Sequence, residues 1–336
     1  MKNLHYEIGM VNNNSQHSLA AYAGYINNHT ELLECSSGGI ATALARNMIR
    51  HGGFVAGVAY SDDFKEAIYH ITNSENDLNR FKGSKYIRVK KDDVYTNVQA
   101  LLNAGESVLF FGTPCVVGAL RSYLKQEFEK LLTVELICHG PTDPKVHKQY
   151  VERLEKKHKS RLVDFSVKRK KDTWTPQYLY AEFENGKVFE KPFYNTEYGY
   201  AFATMSIPAC YTCKFRGNNR TGDIMIGDFW GATESDEFWN ELGVSSILVH
   251  TEKGEAFLKS AEDIRLFPTT VDRILEKNQN ILKPRIATSA TEKFTKLFAE
   301  HDLFYSVKHS RSAKTRIKLF VRNLLPKSWI KSKRQT

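Results

Sequence analysis

Hydrophobic residues along this chain recur at two spacings. Ile40, Leu44 and Met48 lie at helical intervals behind Ser36 and Ser37. Either serine would cap a helix running to about Arg50, where Gly52-Gly53 stops it. Phe54–Tyr60 is a short apolar run and predicts a strand. A helix over Val94–Asn103, a buried strand over Ser107–Phe111 and a Gly112-Thr113-Pro114 turn follow, with Pro114 set to open the next helix. Leu131–Ile137 predicts another strand, ending at Cys138-His139-Gly140, and Lys145–Lys157 a helix with one heavily charged face. Strand and helix alternating in this way predict parallel strands with helices around them.

Beyond residue 160 the pattern changes. Leu162–Val167, Tyr178–Glu184 and Val188–Pro192 read as strands, the last two joined by an Asn185-Gly186 hairpin turn. Asp223–Trp230 and Ser245–Thr251 predict further strands, and Gly254–Glu262 and Thr270–Glu276 helices. The fold class expected is therefore α/β (α+β): a mixed sheet flanked by helices, with additional antiparallel strands in the second half. The first thirty residues are polar and Asn-rich, which reads as a loose arm.

Length and composition add bounds. The 336 residues suffice for one large domain or two moderate ones. Residues 1–26 hold no apolar signal region, and no run approaches the roughly 18 apolar residues of a spanning helix. A cytoplasmic protein is expected. The net charge of +10 resides in the tail: Lys308–Thr336 holds ten Lys or Arg and no acid, so the body is neutral. That argues against a nucleic-acid-binding body. Within the tail, Ile317, Phe320, Val321 and Leu324 fall at helical spacing among Arg316, Lys318 and Arg322. Such a segment fits peripheral contact with the inner face of a membrane, or a docked helix with a solvated basic face.

Five cysteines carry the candidate chemistry: Cys35, Cys115, Cys138, Cys210 and Cys213. An odd number with no export signal does not suggest a disulfide framework. Cys210-Tyr211-Thr212-Cys213 has the spacing at which two thiolates reach one metal or cluster. Cys115 and Cys138 each follow a predicted parallel strand, so both would emerge at the edge where α/β sheets place ligands. An iron–sulfur cluster, zinc and buried structural cysteines all remain open on spacing alone. Cys35, just before a helix, reads as a non-ligand.

Three glycine-bearing segments could line a cofactor cleft. Ser36-Ser37-Gly38-Gly39 opens a helix, where backbone N–H groups hold phosphate. Gly83-Ser84-Lys85-Tyr86 adds a turn, a cation and a ring that could grip a pyrophosphate or a flavin edge, and Gly112-Thr113-Pro114 ends a strand. No G-x-G-x-x-G and no Walker sequence is present. Asp223 and Asp228 flank an apolar strand, one expected to support the backbone and the other to lie near the cluster loop, neither catalytic.

Taken in order, Ser36–Gly39, Gly83–Tyr86, Gly112–Cys115, Cys138–Gly140, Cys210–Phe215 and Asp223–Gly231 resemble the coenzyme F-420 hydrogenase/dehydrogenase beta-subunit family, over about residues 35–235. The resemblance implies a flavin-dependent iron–sulfur oxidoreductase moving electrons between a 4Fe-4S cluster, FAD and a second carrier. It implies that Cys115, Cys138, Cys210 and Cys213 ligate the cluster. It also implies that the Ser/Gly and Gly-Ser-Lys-Tyr segments bind the flavin. His139, Lys85, Lys214 and Arg216 become candidates for tuning the cluster or anchoring substrate. The chain then divides into an arm (1–34), a flavin-binding part (35–160), a part completing the cluster site (161–300) and the basic tail (301–336). The sequence departs from the family in three places: no Cys lies in the first 34 residues to form a second relay, Ile207-Pro208 stands for Arg-Pro, and Val116 for Gln. The redox partner, a protein or a small electron carrier, is left open; a deazaflavin and a polysaccharide-pathway intermediate are both candidate acceptors. The competing readings are a zinc-stabilised scaffold without redox activity and a transferase accessory protein in polysaccharide synthesis.

Overall fold

The computed structural model describes residues 18–217 and 220–311. Eleven strands are numbered in chain order: β1 (Ala20–Ile26), β2 (Phe54–Tyr60), β3 (Ala67–Thr72), β4 (Val108–Gly112), β5 (Leu131–Leu136), β6 (Leu162–Arg169), β7 (Tyr178–Phe183), β8 (Val188–Pro192), β9 (Ile224–Asp228), β10 (Ser245–Val249) and β11 (Ile264–Pro268). Eight form one sheet in the order β11-β1-β10-β9-β5-β4-β2-β3, and β6-β7-β8 form a second, antiparallel sheet. The pairs β2/β4, β4/β5 and β5/β9 are parallel; the outer strands of the large sheet are antiparallel. The architecture is thus the mixed α/β one that the patterning predicts.

The parallel centre is buried on both faces. On β4, Leu109 packs with Ile40, Leu44 and Met48 of helix Ile40–Arg50. Its neighbours Val108 and Phe110 face the other way, onto Val98 and Leu102 of helix Val94–Asn103 and Val117 and Leu120 of helix Pro114–Leu124. Covering both faces explains why these strands read as continuous apolar runs rather than alternating ones. Phe110 is fully buried, and a buried side chain of this size contributes about 1.5–3 kcal/mol. A separate core forms where helix Pro144–His158 packs against β6 and β7 and helix Glu197–Thr204.

Two expectations need correction. The stretch read as a loose arm contributes β1, paired on both sides inside the sheet, and helix His29–Glu34. In its sequence, Ala-Ala-Tyr-Ala-Gly-Tyr-Ile, the small residues Ala21, Ala23 and Gly24, which have weak strand preference, fill three of the four buried positions. The close packing itself demands them: a Cβ on Gly24 would lie 2.8 Å from the Arg265 carbonyl oxygen. The helix at Ile40 is capped not by Ser36 or Ser37 but by Gly39, at φ +81° and with no side-chain cap. The Ser37 hydroxyl donates instead to the Val244 carbonyl at 2.9 Å. Among the described residues no helix is long and apolar enough to cross a membrane. The amphipathic tail segment Arg316–Leu325 lies outside the described residues.

Candidate functional site

Because β4 and β5 are parallel neighbours, the segments leaving their carboxyl ends start side by side. Pro114 opens the helix after β4 and places Cys115 in its first turn, with the Thr113 hydroxyl 3.3 Å from the thiol. Cys138 lies beyond the end of β5. Two residues past the last β5–β9 pair, Leu136 with Ile226, the two strands reach Cys138 and Asp228. The parallel centre therefore delivers Cys115, Cys138 and Asp228 to one edge.

The Cys210–Cys213 loop is fastened to this edge by close packing. Gly118, in the helix carrying Cys115, lies under the Phe215 ring; a Cβ there would be 2.5 Å from a ring carbon. Gly140, at φ +109°, backs onto Ser206 and Cys210, and a Cβ there would lie 2.8 Å from the Ser206 hydroxyl and 3.3 Å from the Cys210 Cβ. The Arg216 guanidinium donates to the carbonyls of Cys138 and Asn280. Arg220 donates to the Ile281 carbonyl at 2.8 Å. Three separate segments are thus knitted together around the cysteines.

The thiols feel one another. Burial pushes Cys138 up to about 11, and the neighbouring charges of Cys115 and Cys210 push the same way. The Gly140 N–H and the Arg216 guanidinium pull against them. Cys210 is raised by burial and then by Cys115 and Cys213. Cys35 stands apart: it is buried, 3.6 Å from the Thr42 hydroxyl. Among the described residues, no three His, Cys, Asp or Glu side chains are gathered closely enough to hold a single metal ion. His139 is held down to about 4 by desolvation and by the Arg285 and Arg216 charges, so it is neutral at neutral pH.

The glycine segments meet in part. Ser84 donates its N–H at 2.9 Å and its hydroxyl at 3.1 Å to the Ser36 hydroxyl. The Tyr86 carbonyl accepts from the Thr142 N–H and hydroxyl, two residues beyond Gly140, and the Tyr86 ring stacks on Phe202 at 4.1 Å. Gly112-Thr113-Pro114 joins β4 to Cys115. Lys85 does not present its ammonium as expected. It donates to the carbonyls of Arg80, Phe81, Lys82 and Gly83 at 2.9–3.2 Å, which folds the Gly83 turn around it rather than gripping a phosphate. Gly38 serves the sheet: a Cβ on it would lie 2.3 Å from the Gly24 carbonyl oxygen.

Residues 105–270 match the family model that describes the C terminus of the coenzyme F420 hydrogenase/dehydrogenase beta subunit. This stretch belongs to that family. It contains all four clustered cysteines. A chain from a xenon-derivatised structure of the F420-reducing NiFe hydrogenase complex from Methanosarcina barkeri has a similar fold, with a TM-score of 0.52 at 17% identity. The likeness covers 83% of this chain and 93% of that one. No curated protein matches the chain in sequence.

Around the cysteine edge of this family fold lie charged residues that sequence reasoning missed. Lys168 is buried and donates to Asp228. Lys170 is buried and donates to the carbonyls of Leu32 at 2.8 Å and Ser37 at 2.6 Å, and burial pulls it down to about 7. Both lie in a Lys-Arg-Lys-Lys run just beyond the strand predicted over Leu162–Val167. The signal is hidden by irregular pairing of β6 between Ser166 and Arg169, which turns Lys168 inward. Arg285 donates to the Phe202 and Met205 carbonyls and the Ser206 hydroxyl, bracing the approach to Cys210. Lys214 is exposed.

Proposed function

We propose that this chain is a flavin- and iron–sulfur-dependent oxidoreductase. In this reading Cys115, Cys138, Cys210 and Cys213 hold a 4Fe-4S cluster. FAD would be held by residues of Ser36–Gly39, Gly83–Tyr86 and Gly112–Pro114, of which the first two are joined through Ser36 and Ser84. One observation carries the reading: three chain segments, far apart in sequence, are packed so that four free thiols share one sheet edge and sense each other's charge. A C-x-x-C pair joined by two further cysteines from neighbouring strand ends is a donor set that an iron–sulfur cluster uses. Membership in a family named for hydrogenase and dehydrogenase beta subunits supports the same class.

When bound, the cluster supplies single-electron transfer and the flavin links it to two-electron chemistry. The chain's own residues set the surroundings. Arg216 and the Gly140 N–H favour thiolate at Cys138. Neutral His139 adds no positive charge beside Cys138. The Ser36–Ser84 contact holds two of the cofactor-lining segments together. The acceptor is a small carrier or a redox partner protein; a deazaflavin is one candidate, since a chain of similar fold comes from a Methanosarcina complex described as F420-reducing.

Serine replacement separates ligand from bystander. Cys213→Ser should lose the visible absorption and most of the bound iron, whereas Cys35→Ser should keep both. Full iron content in Cys213→Ser would remove the ligand assignment.

A further inference from the structure

A cavity of about 560 Å³ lies at the side of the large sheet formed by β1 and β11, away from the cysteines. In the sheet order β1 stands three strands from β5, roughly 14 Å at ordinary strand spacing. Neither the clustered cysteines nor the three glycine segments contribute to its lining. Tyr25 and Arg265 stand directly opposite each other in the antiparallel β1/β11 pair, so their side chains leave the same face of the sheet. Asn240 is fixed by its own turn, its carboxamide oxygen accepting from the Leu242 N–H at 2.9 Å. Ile26 and Leu32, each 1% exposed, form the floor. Asn27, His29 and Arg265 are exposed, so the cavity is open to solvent on their side.

The lining offers donors and few free acceptors. Arg265 spends Nε on the Asn27 carboxamide oxygen at 3.2 Å, and its two terminal nitrogens have no partner among the described residues. The Asn240 amide nitrogen is likewise unpartnered among them, while both carboxamide oxygens in the lining already accept a bond. No Asp or Glu lines the cavity. Asp263, two residues before Arg265, is turned to Arg46 at 3.6 Å and Arg50 at 3.4 Å. Behind the polar rim, Ile26 and Leu32 continue into an apolar cluster with Cys35, Ala43 and Leu242.

The chemistry narrows the ligand. A cation would meet the Arg265 charge with no carboxylate to offset it. A neutral apolar molecule would cover the donors without pairing them, which is costly. A bare inorganic anion would pair with the guanidinium but leave the apolar floor in water and most of the volume unused. The volume falls within the range of about 300–1,000 Å³ usual for small-molecule sites. We propose that this cavity binds a monocarboxylate carried on a flat apolar body. The carboxylate pairs with the two terminal nitrogens of Arg265, the bidentate arrangement that a guanidinium favours, with the Asn240 amide as a further donor. The apolar body lies against Leu32 and the Tyr25 ring. The site depends on neither the iron–sulfur cluster nor the flavin.

The test is a calorimetric titration of the full chain with 2-naphthoate, compared with 2-naphthamide, which keeps the shape and loses the charge. Naphthoate should bind, and naphthamide should bind about tenfold or more weaker, the scale of one charge-assisted pair. Arg265→Met, at an exposed position, should unfold at an unchanged temperature, weaken naphthoate by about tenfold or more and leave naphthamide as it was. Asn240→Asp keeps the oxygen that the Leu242 N–H needs and adds a negative charge to the lining; it should weaken naphthoate by about threefold or more. Excess FAD should leave the naphthoate affinity unchanged. Equal binding of the two compounds, or undiminished naphthoate binding by either variant, overturns the proposal. Displacement of naphthoate by FAD would make the cavity part of the flavin's site and overturn it as a separate one. The redox reading is decided elsewhere, by iron and sulfide, and stands or falls independently of these titrations.

Discussion

A buried carboxylate stands at each end of β9, and the two are treated differently. Asp223, just before the strand, is fully buried and fully engaged. It accepts from the Thr133 N–H at 2.8 Å, the Thr133 hydroxyl at 2.7 Å, Arg121 at 3.3 Å and the Thr251 hydroxyl at 2.9 Å, with Lys253 at 3.5 Å. Asp228, the last residue of the strand, has one oxygen on Lys168 and the other unpaired among the described residues. A satisfied network fixes a fold, whereas unspent hydrogen-bonding capacity in a buried place is where a ligand has something to gain. The amino edge of the parallel centre thus carries a fully satisfied network that holds the sheet together, and the carboxyl edge carries the clustered cysteines and a carboxylate with hydrogen-bonding capacity to spare.

The largest effect should fall on the first carboxylate. Asp223→Ala removes the acceptor of the Thr133 N–H and hydroxyl and the buried one of the two carboxylates that Arg121 contacts, and should cost roughly 3–5 kcal/mol in denaturant unfolding. A loss no greater than that of removing the Lys168–Asp228 pair would break the contrast between the two ends.

Acid titration tests whether a buried group remote from the site obeys the same logic. His147 is fully buried, its Nε2 donating to the Phe64 carbonyl at 2.6 Å, and burial holds it down to about 4, from an ordinary 6.5. The unfolded chain therefore binds a proton that the native one refuses. Stability should fall as pH drops from 6.5 towards 4, by at most about 1.4 kcal/mol per pH unit. His147→Leu should flatten that part of the pH–stability curve; an unchanged slope would show that other groups set it.

Gly140→Ala puts a Cβ at φ +109°, against Ser206 and Cys210. It should cost about 1–3 kcal/mol. Because Gly140 packs on Cys210, the proposed cluster site predicts that iron content falls further than it does in Asp223→Ala protein that remains folded. Parallel losses of stability and iron in both variants would blur the division. The smallest effect belongs to the surface. The Lys148–Glu152 pair, at 4.0 Å and half exposed, should change stability by about 0.5 kcal/mol or less in Lys148→Ala, which sets the scale for the other three.

Where the chain is apolar and regular, the fold is legible. The runs now known as β2, β4 and β5 and the helices between them follow directly from spacing, and so does the shared edge of Cys115 and Cys138, since parallel neighbours leave it no other place. β1 is not legible because Ala and Gly carry its pattern, and their fit depends on β10 and β11 more than two hundred residues later. Lys168 is not legible because the irregular end of β6 breaks the alternation that would otherwise expose or bury it. Lys85 misleads for another reason: composition shows a cation in a glycine turn but not that neighbouring carbonyls have already claimed it.

Most of the functional reading depends on the four cysteines holding an iron–sulfur cluster. Anaerobic purification followed by iron, sulfide and zinc analysis and an absorption spectrum addresses it directly. The expected result is about four irons with matching sulfide per chain and broad visible absorption that disappears in Cys213→Ser. Stoichiometric zinc with no sulfide would contradict it and leave a structural metal site at the same edge.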